Sequence, residues 1–487
     1  MSDAGPLLEW SGFVYDLQRL LRDKGVTTPL YVVGGAVRDA YKRAEITDVD
    51  IAVDGDAIGI AKNVADWLDA DIYIMDRARG VARVFVKRGP GAILLDFARF
   101  RGATLHDDLI KRDFTVNTLA ADLLGDLSHL IDMLGGERDL RERVLRRCSR
   151  NAIEEDPVRA LRAVRQSTQL ALKIHPATLS DVRQFAPGLS QISPERIRDE
   201  FFKLLALDNA ARGLRVLQHL GILQRIFPGQ LDLKQATGKA PQHLDAWSRN
   251  LRITERMCAI LTAVSERRTD NSAAAFDLGM LVIQWDRFRG QLQGRLSRSY
   301  GNGRRHKELL VLAALLSNLG ELDSSRDGER LALSAKVVSR SLRLTLEEGR
   351  YLSLAMSNYH VILDESEWST LLRHRFWHGL GEAGIDAIFL AAAVYLGRQG
   401  AEIRQADWLA FVDTATELLD TWFNQYDDVV SPPPLLDGDD IMKTLGIRRG
   451  PRVGQLLSAL REAQVLGTVG SVSEAQEFVV RKHVESS

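Results

Sequence analysis

The stretch Ile46-Thr-Asp-Val-Asp-Ile-Ala-Val53 constrains this chain more than any other. Alternate residues of a β-strand point to opposite faces, so Val49, Ile51 and Val53 make an apolar edge for a core while Asp48 and Asp50 project together on the other side. Two carboxylates on one strand face repel unless cations lie between them, and paired divalent cations held this way are equipment for phosphoryl transfer. Shortly upstream comes the turn Val33-Gly34-Gly35-Ala36-Val37-Arg38-Asp39. Glycines between a strand and a helix let backbone amides approach a phosphate at the helix start, although two glycines also simply make a turn. Arg38 and Asp39 fall on the first helical turn, where a surface ion pair is the ordinary use.

At 487 residues the chain exceeds one compact core, and roughly three or four domains are expected. Hydrophobic content of 45% and charged content of 26% are those of a globular protein. Two cysteines, Cys148 and Cys258, provide neither a disulfide framework nor a zinc cluster, which fits a reducing cytoplasm. The opening residues lack the basic and apolar regions of a signal peptide, and no apolar run is long enough for a membrane span, so none is expected. Net charge is −1, yet residues 138–165 hold nine arginines against five acids. That excess can hold phosphates, or it can be a solvated helix face laced with ion pairs.

The first 150 residues read as a small α+β domain. Strands are expected at Pro29–Val33, Asp48–Val53, Asp71–Met75, Val81–Val86, Ala92–Phe97 and Leu130–Met133. Helices are expected at Ala36–Tyr41, Ala57–Leu68 and Asp107–Ala121. From about Glu154 strand signals almost vanish. Asp156-Pro157 and Ser193-Pro194 each open a helix. The expected organisation is a head at 1–150, a helical neck at 151–228, a helical body at 242–430 and a small helical module at 435–487. Residues 228–241 read as a linker, 267–272 as a polar break within the body, and Ser431-Pro-Pro-Pro434 as a further boundary.

Three more constellations carry chemistry. Asp96 is a carboxylate in an apolar strand, either a third metal ligand or proton acceptor, or a structural hydrogen-bonding group. Arg99 and Arg101 follow within reach of phosphate oxygens. The run Asp108-Leu-Ile-Lys-Arg112-Asp113-Phe-Thr115-Val-Asn117 is rich in hydrogen-bonding side chains that suit a helix interior poorly, which points to a specific task. Glu155-Asp156-Pro-Val-Arg159 places a carboxylate and a guanidinium three residues apart on one helix. On spacing alone this is an ordinary salt bridge; it can also offer an acceptor and donors to a nucleobase edge.

Taken in order, these motifs, with Gly135-Gly136…Asp139-Leu140 and Ser193-Pro-Glu-Arg-Ile197, resemble the class II tRNA nucleotidyltransferases, which include CCA-adding enzymes and bacterial poly(A) polymerases. The resemblance runs from Tyr31 to about Phe227. It resumes in Leu436-Asp-Gly-Asp-Asp440-Ile-Met…Gly450-Pro-Arg-Val-Gly454, which is similar to the C-terminal module of many bacterial members. It implies a polymerase-β-like head with a mixed sheet, followed by helical neck, body and tail. It further implies that Asp48 and Asp50 hold Mg²⁺, that Gly34, Gly35 and Arg38 contact the triphosphate, and that Arg112 and Asn117 lie along the nucleotide. Asp156 and Arg159, with Arg162 beside them, would read the base of CTP or ATP. The implied partner is the acceptor arm and 3′ end of tRNA.

Lys111 stands where the family has arginine, and Thr118 where it has alanine. Only six residues separate Arg101 from Asp108, where many members carry a long flexible loop. Within the family that shortening accompanies addition of CC without the final A. Poly(A) polymerases share every catalytic motif and are the first alternative; a non-catalytic RNA-binding protein is another. The segments around His243–Leu251 and Leu312–Gly320 resemble the metal-binding segments of HD phosphohydrolases. There Arg249 replaces a ligand histidine and Ser317-Asn318 the His-Asp pair, which argues against hydrolysis.

Overall fold

The computed structural model describes residues 8–88, 91–227, 246–265, 276–301, 303–317, 327–365, 367–398 and 404–485. The linker expected at 228–241 and the break at 267–272 lie outside the described residues. The chain forms two compact units, Met1–Glu200 with His219–Arg225, and Phe201–Gln218 with Ile226–Ser487.

The first unit is built on a six-stranded sheet: β1 Leu30–Val33, β2 Asp48–Val53, β3 Asp71–Asp76, β4 Val81–Arg88, β5 Gly91–Arg99 and β6 Ala120–Asp122. Spatial order is β3-β4-β5-β2-β1-β6. The β2–β5 pair is parallel and the remaining pairs are antiparallel, so the sheet is mixed. Helix α1 (Gly12–Asp23) precedes it, α2 (Gly35–Tyr41) follows β1, and α3 (Ala57–Leu68) follows β2. The α3 helix starts at Asp56, whose carboxylate accepts the Gly59 N–H at 3.0 Å. Its buried Ala57, Ala61, Val64 and Ala65 recur at helical spacing and pack on β4 and β5. Ala82, Val84, Leu95 and Phe97 are buried on those strands. Each large apolar side chain sealed there is worth roughly 1.5–3 kcal/mol. The same alternation leaves Asp48, Asp50, Asp96 and Arg83 on the opposite, open face.

The helix expected over 107–121 is broken. Helix α4 (Leu105–Ile110) begins earlier, at a capping box in which Thr104 and Asp107 satisfy each other's backbone amides. It stops at Lys111, and a single 3₁₀ turn, Thr115–Asn117, leads into β6. The cause is local side-chain bonding: Thr118 Oγ1 donates to the Thr115 carbonyl at 2.8 Å, and Asn117 Nδ2 to Asp113 Oδ1 at 2.9 Å. The freed Ala120-Ala121 then pairs with β1. The strand expected at Leu130–Met133 shrinks to one bridge between Ile131 and Ala120.

Helix α5 (Gly136–Arg141) starts where Gly136 presses on the 3₁₀ turn; a Cβ there would lie 2.2 Å from the Thr115 carbonyl oxygen, so only glycine fits. Two short parallel strands, β7 (Val144–Leu145) and β8 (Lys173–Ile174), join this segment to α6 (Ala152–Glu155), α7 (Val158–Leu170), α8 (Pro176–Phe185) and α9 (Pro194–Leu205).

The second unit is helical. Its centre is Ala383–Arg398, buried along nearly its whole length and packed against Ala246–Val264 and Leu346–Asp364. Gly397 lets the Ile253 backbone approach: a Cβ would sit 2.9 Å from the Ile253 Cα. A charged knot lies inside this apolar packing. Arg295 forks onto Asp386 at 2.9 and 2.6 Å, and His306 Nε2 meets the same carboxylate at 2.7 Å. Helices Gly438–Leu445, Pro451–Val465 and Val472–Val484 enclose their own small core around Ile441, Leu456, Leu460 and Val479. Among the described residues no single helix is long and apolar enough to cross a membrane; the bent pair Thr370–Leu380 and Ala383–Arg398 passes only when combined, and its second helix is the buried centre of this unit.

Arg249 is buried in the Ala246–Val264 helix, and Ser317 ends the His306–Leu316 helix by bonding the Ala314 carbonyl at 2.9 Å. His243 and Asn318, their expected companions, lie outside the described residues.

Candidate active site

Strand register assembles the site. Asp50 on β2 sits beside Val33 on one side and beside Asp96 of β5 on the other. Asp96 in turn faces Arg83 of β4, and Arg83 faces Tyr73 of β3. Paired residues of adjacent strands share a face, so Asp50, Asp96, Arg83 and Tyr73 form one row across the open side of the sheet. Asp48, two residues before Asp50, lies on the same side and is exposed.

The carboxylates are crowded. Burial pushes the Asp50 pKa above its ordinary value; Arg112 opposes this, while the neighbouring charges of Asp96 and Asp48 add to it. Gly34 borders the same point with φ of 79°, and a Cβ there would lie 2.9 Å from Asp50 Oδ2 and 3.4 Å from Arg112 Nη1. Gly34 is therefore both a positive-φ turn residue and a hole beside the carboxylate. Gly34→Ala should strain the turn and push Asp50 aside, lowering the transfer rate on the order of 100-fold. Steady-state incorporation measured beside the circular-dichroism spectrum checks this, and a spectrum that collapses with the rate would turn the loss into a folding defect.

Arg83 donates to both oxygens of Asp96 at 2.7 and 2.6 Å. Asp96 is thus clamped by a fork–fork pair, and the structural alternative for this residue is realised without removing it from the row. Arg83 was absent from the expected site. A polar side chain in an apolar strand needs a partner, and Arg83 in Val81-Ala-Arg83-Val carries that signal as plainly as Asp96 does.

Arg112 donates to Asp108 Oδ2 from Nε and Nη2 at 3.2 and 3.1 Å, which leaves Nη1 on the Gly34 side. Arg101 reaches Asp108 Oδ1 at 2.8 Å, and Lys111 donates to the Arg101 carbonyl. Burial works to raise the Asp108 pKa, yet these two arginines hold it below the ordinary value. The short connection from Arg101 to Asp108 is therefore tied at both ends.

Arg38 lies next to Gly35 and bonds Asn117 Oδ1 at 3.0 Å through Nη1. Asn117 Nδ2 donates to Asp113 and to Gln166 Oε1, each at 2.9 Å. Asp113 accepts from Arg162 at 3.2 Å, and Arg162 also faces Glu200 at 3.5 Å. Asn117 is buried with both ends of its amide engaged, so it holds Arg38 in place and links the turn after β1 to α7. Gln166 and Glu200 joined this network without any local signal in the sequence.

Burial favours protonation of Asp113, but Arg162, Asn117 and the Phe114 N–H outweigh it and depress the pKa. A depressed carboxylate stabilises the fold above its unfolded pKa, about 3.9, and that stability is lost as pH falls below it. Asp113→Asn should accordingly flatten the acid side of the stability–pH curve below about pH 4. Urea unfolding at a series of pH values reads this, and an unchanged acid slope would contradict it.

Asp156 caps the end of α6, and Arg159 lies in the first turn of α7. They are only loosely paired, at 4.0 Å. The Arg159 guanidinium instead donates to the carbonyls of Lys111 at 2.7 Å, Ala152 at 3.0 Å and Arg112 at 3.4 Å, which brings this pair to the Arg112 segment. Asp156 Oδ2 accepts from Arg196 at 2.8 Å, and its Oδ1 is buried with no hydrogen-bond partner among the described residues. A buried acceptor without a donor is costly, and a ligand amino group would satisfy it.

The donor set suits a divalent cation such as Mg²⁺. Among the described residues no group of three or more His, Cys, Asp or Glu side chains is placed to hold a metal. A hard cation that takes one or two carboxylates and fills its remaining positions with water and substrate phosphates needs no such cage. Asp48 and Asp50 are two adjacent carboxylates on this face, and a cation between them would relieve the repulsion that helps raise the Asp50 pKa.

Residues 30–146 match the family model described as the poly A polymerase head domain, and residues 171–233 match that of the probable RNA and SrmB-binding site of polymerase A. The CC-adding tRNA nucleotidyltransferase of Geobacter sulfurreducens is 31% identical over 454 residues, 93% of this chain and 92% of that protein. The chain belongs to the class II tRNA nucleotidyltransferase family. The A-adding tRNA nucleotidyltransferase of Deinococcus radiodurans is also 31% identical, over 92% of this chain and 94% of that protein, so overall similarity does not choose between bases. The solved structure of a CCA-adding enzyme with ATP shares the fold, with a TM-score of 0.63 at 21% identity, covering 97% of this chain and 96% of that one.

Proposed function

We propose that the chain transfers CMP from CTP to the 3′ end of tRNA, adding the two cytidines and leaving the terminal adenosine to another enzyme. The observation that carries the transfer is the convergence of Asp48, Asp50, Gly34 and Arg112 at one end of the open sheet face, beside Arg38. Mg²⁺ held by Asp48 and Asp50 would supply charge neutralisation at the attacking and leaving oxygens.

The chain's own residues account for binding and orientation. Arg112 Nη1 and Arg38 flank the Gly34-Gly35 turn and bind the triphosphate, with Asn117 fixing Arg38 and Asp108 fixing Arg112. The 3′-hydroxyl oxygen bonds to the α-phosphorus, the bond to the bridging oxygen breaks, and pyrophosphate leaves. Asp96, aimed by Arg83, lies one strand from Asp50 to accept the hydroxyl proton. Asp156 Oδ1 accepts from the base amino group and Arg159 donates to the ring acceptor beside it. Cytosine and adenine both present an amino donor next to a ring acceptor, so this pair accepts either base and discrimination must lie elsewhere.

The connection from Arg101 to Asp108 favours the CC-only reading. It has only six intervening residues, starts α4 with a capping box, and is ion-paired to Arg112. Such a segment lacks the length and freedom to reshape a base pocket for a second nucleotide. The test is incorporation on tRNA transcripts ending before CCA, after C and after CC, each with CTP alone or ATP alone. Two, one and no cytidines, and no adenosine, are expected. Adenosine added after CC would overturn CC specificity, and ATP-driven extension of unrelated RNA would make the chain a poly(A) polymerase.

A further inference from the structure

We infer that the open face of β3 and β4 is a stacking platform for the 3′-terminal bases of the RNA, with Tyr73 and Phe85 as its rings. The inference rests on the transfer reading above and adds a site for the second substrate.

Tyr73 is 64% exposed on an edge strand, so its ring is open to a partner from solvent. Edge strands are ordinarily blunted with charge, whereas this one presents an open aromatic ring beside the carboxylate row. Its position decides what it contacts. Tyr73 pairs with Arg83, Arg83 with Asp96 and Asp96 with Asp50, so the ring stands in the same row as the carboxylates. Phe85, two residues along β4, pairs with Leu94, which pairs with Asp48; both Phe85 and Leu94 are half-buried. Adjacent strands lie about 4.8 Å apart, which puts Tyr73 roughly 10 Å from Asp96. An RNA whose 3′-hydroxyl sits at Asp50 and Asp96 spans that gap with its terminal nucleotide and the one before it.

Charge and chemistry agree with that occupant. Three carboxylates would repel an approaching phosphodiester, and Arg83 neutralises the one nearest the platform. Stacking is indifferent to base identity, because every base has a π face. An RNA end that changes with each addition needs a platform of that kind rather than a hydrogen-bonding pocket.

The probe is a tRNA transcript lacking CCA, with 2-aminopurine as its 3′-terminal base, bound to the full-length protein without nucleotide. Wild-type protein should quench its fluorescence. Tyr73→Ala should lose most of the quench and raise the KM for tRNA on the order of 10-fold, with the KM for CTP unchanged. Phe85→Leu, which keeps an apolar side chain at the half-buried position, should do the same to a smaller degree. An unchanged quench and KM in the exposed-site variant Tyr73→Ala, a rise in the KM for CTP instead, or no quench with wild type would each overturn the platform. Quenching without any incorporation would uphold it and overturn the transfer reading.

Discussion

Asp50→Asn is expected to abolish CMP incorporation, lowering it on the order of 10³–10⁵-fold, while leaving the fold as stable as before or more so. The two halves of this outcome have one cause. Burial and the charges of Asp96 and Asp48 raise the Asp50 pKa, so its ionised form is held at a cost to the fold. A carboxylate with a raised pKa contributes stability below its unfolded value and loses it as pH rises through the folded one, so at neutral pH it opposes folding. Asparagine keeps the shape and removes the charge. Asp48→Ala, at the exposed end of the same strand, should show the same loss of incorporation with tRNA binding retained. Single-turnover incorporation, filter binding of tRNA and thermal unfolding together read the result. Incorporation within about 10-fold of wild type would refute the metal assignment. Lost activity with a lower melting temperature would make Asp50 a structural residue.

The second large effect belongs to the helical unit. Asp386→Ala is expected to destabilise the chain by about 3–5 kcal/mol, because it strips the buried Arg295 of its bidentate partner and His306 of its acceptor. Both Asp386 oxygens are engaged, and Arg295 and His306 are almost wholly enclosed. Burial acts to raise the Asp386 pKa, but Arg295 and His306 pull it below the ordinary value. Glu382, half-exposed and 3.0 Å from Arg295, compensates only in part. Replacing Arg295, His306 and Asp386 together by apolar residues of similar volume should recover much of the loss, since a buried ion pair is harder to halve than to remove. Urea unfolding of the two variants beside wild type decides the matter. A loss below about 1 kcal/mol in Asp386→Ala would show that the knot is not a stability element.

Much of the head was legible from local pattern. The alternation at 48–53, the glycine turn at 34–35 and the apolar spacing of 57–68 each place an element within a residue or two of where it lies. Over 107–121 the apolar spacing is compatible with one helix, but Thr118, Asn117 and Asp113 bond nearby backbone and each other, which ends the helix at Lys111. The resemblance to nucleotidyltransferases named Asn117, Arg162 and Asp96, yet not what they touch. Asn117 holds Arg38, Arg162 holds Asp113, and Asp96 is held by Arg83.

The sequence by itself determined which face of β2 carries the acids, where the helices after β1 and β2 and those opened by Pro157 and Pro194 begin, and the order of motifs that marks the family. The first two depend on neighbours two to four residues apart, a distance that backbone periodicity governs, and the third is read directly along the chain. Only the tertiary structure decided the register that lines Tyr73, Arg83, Asp96 and Asp50 into one row, the network from Arg38 to Glu200, and the acceptor left open on Asp156. These pairings join residues from distant segments, and no local pattern encodes them. They follow from how the sheet and helices pack, because a buried charge or amide must find its partner wherever the fold brings one within hydrogen-bonding distance.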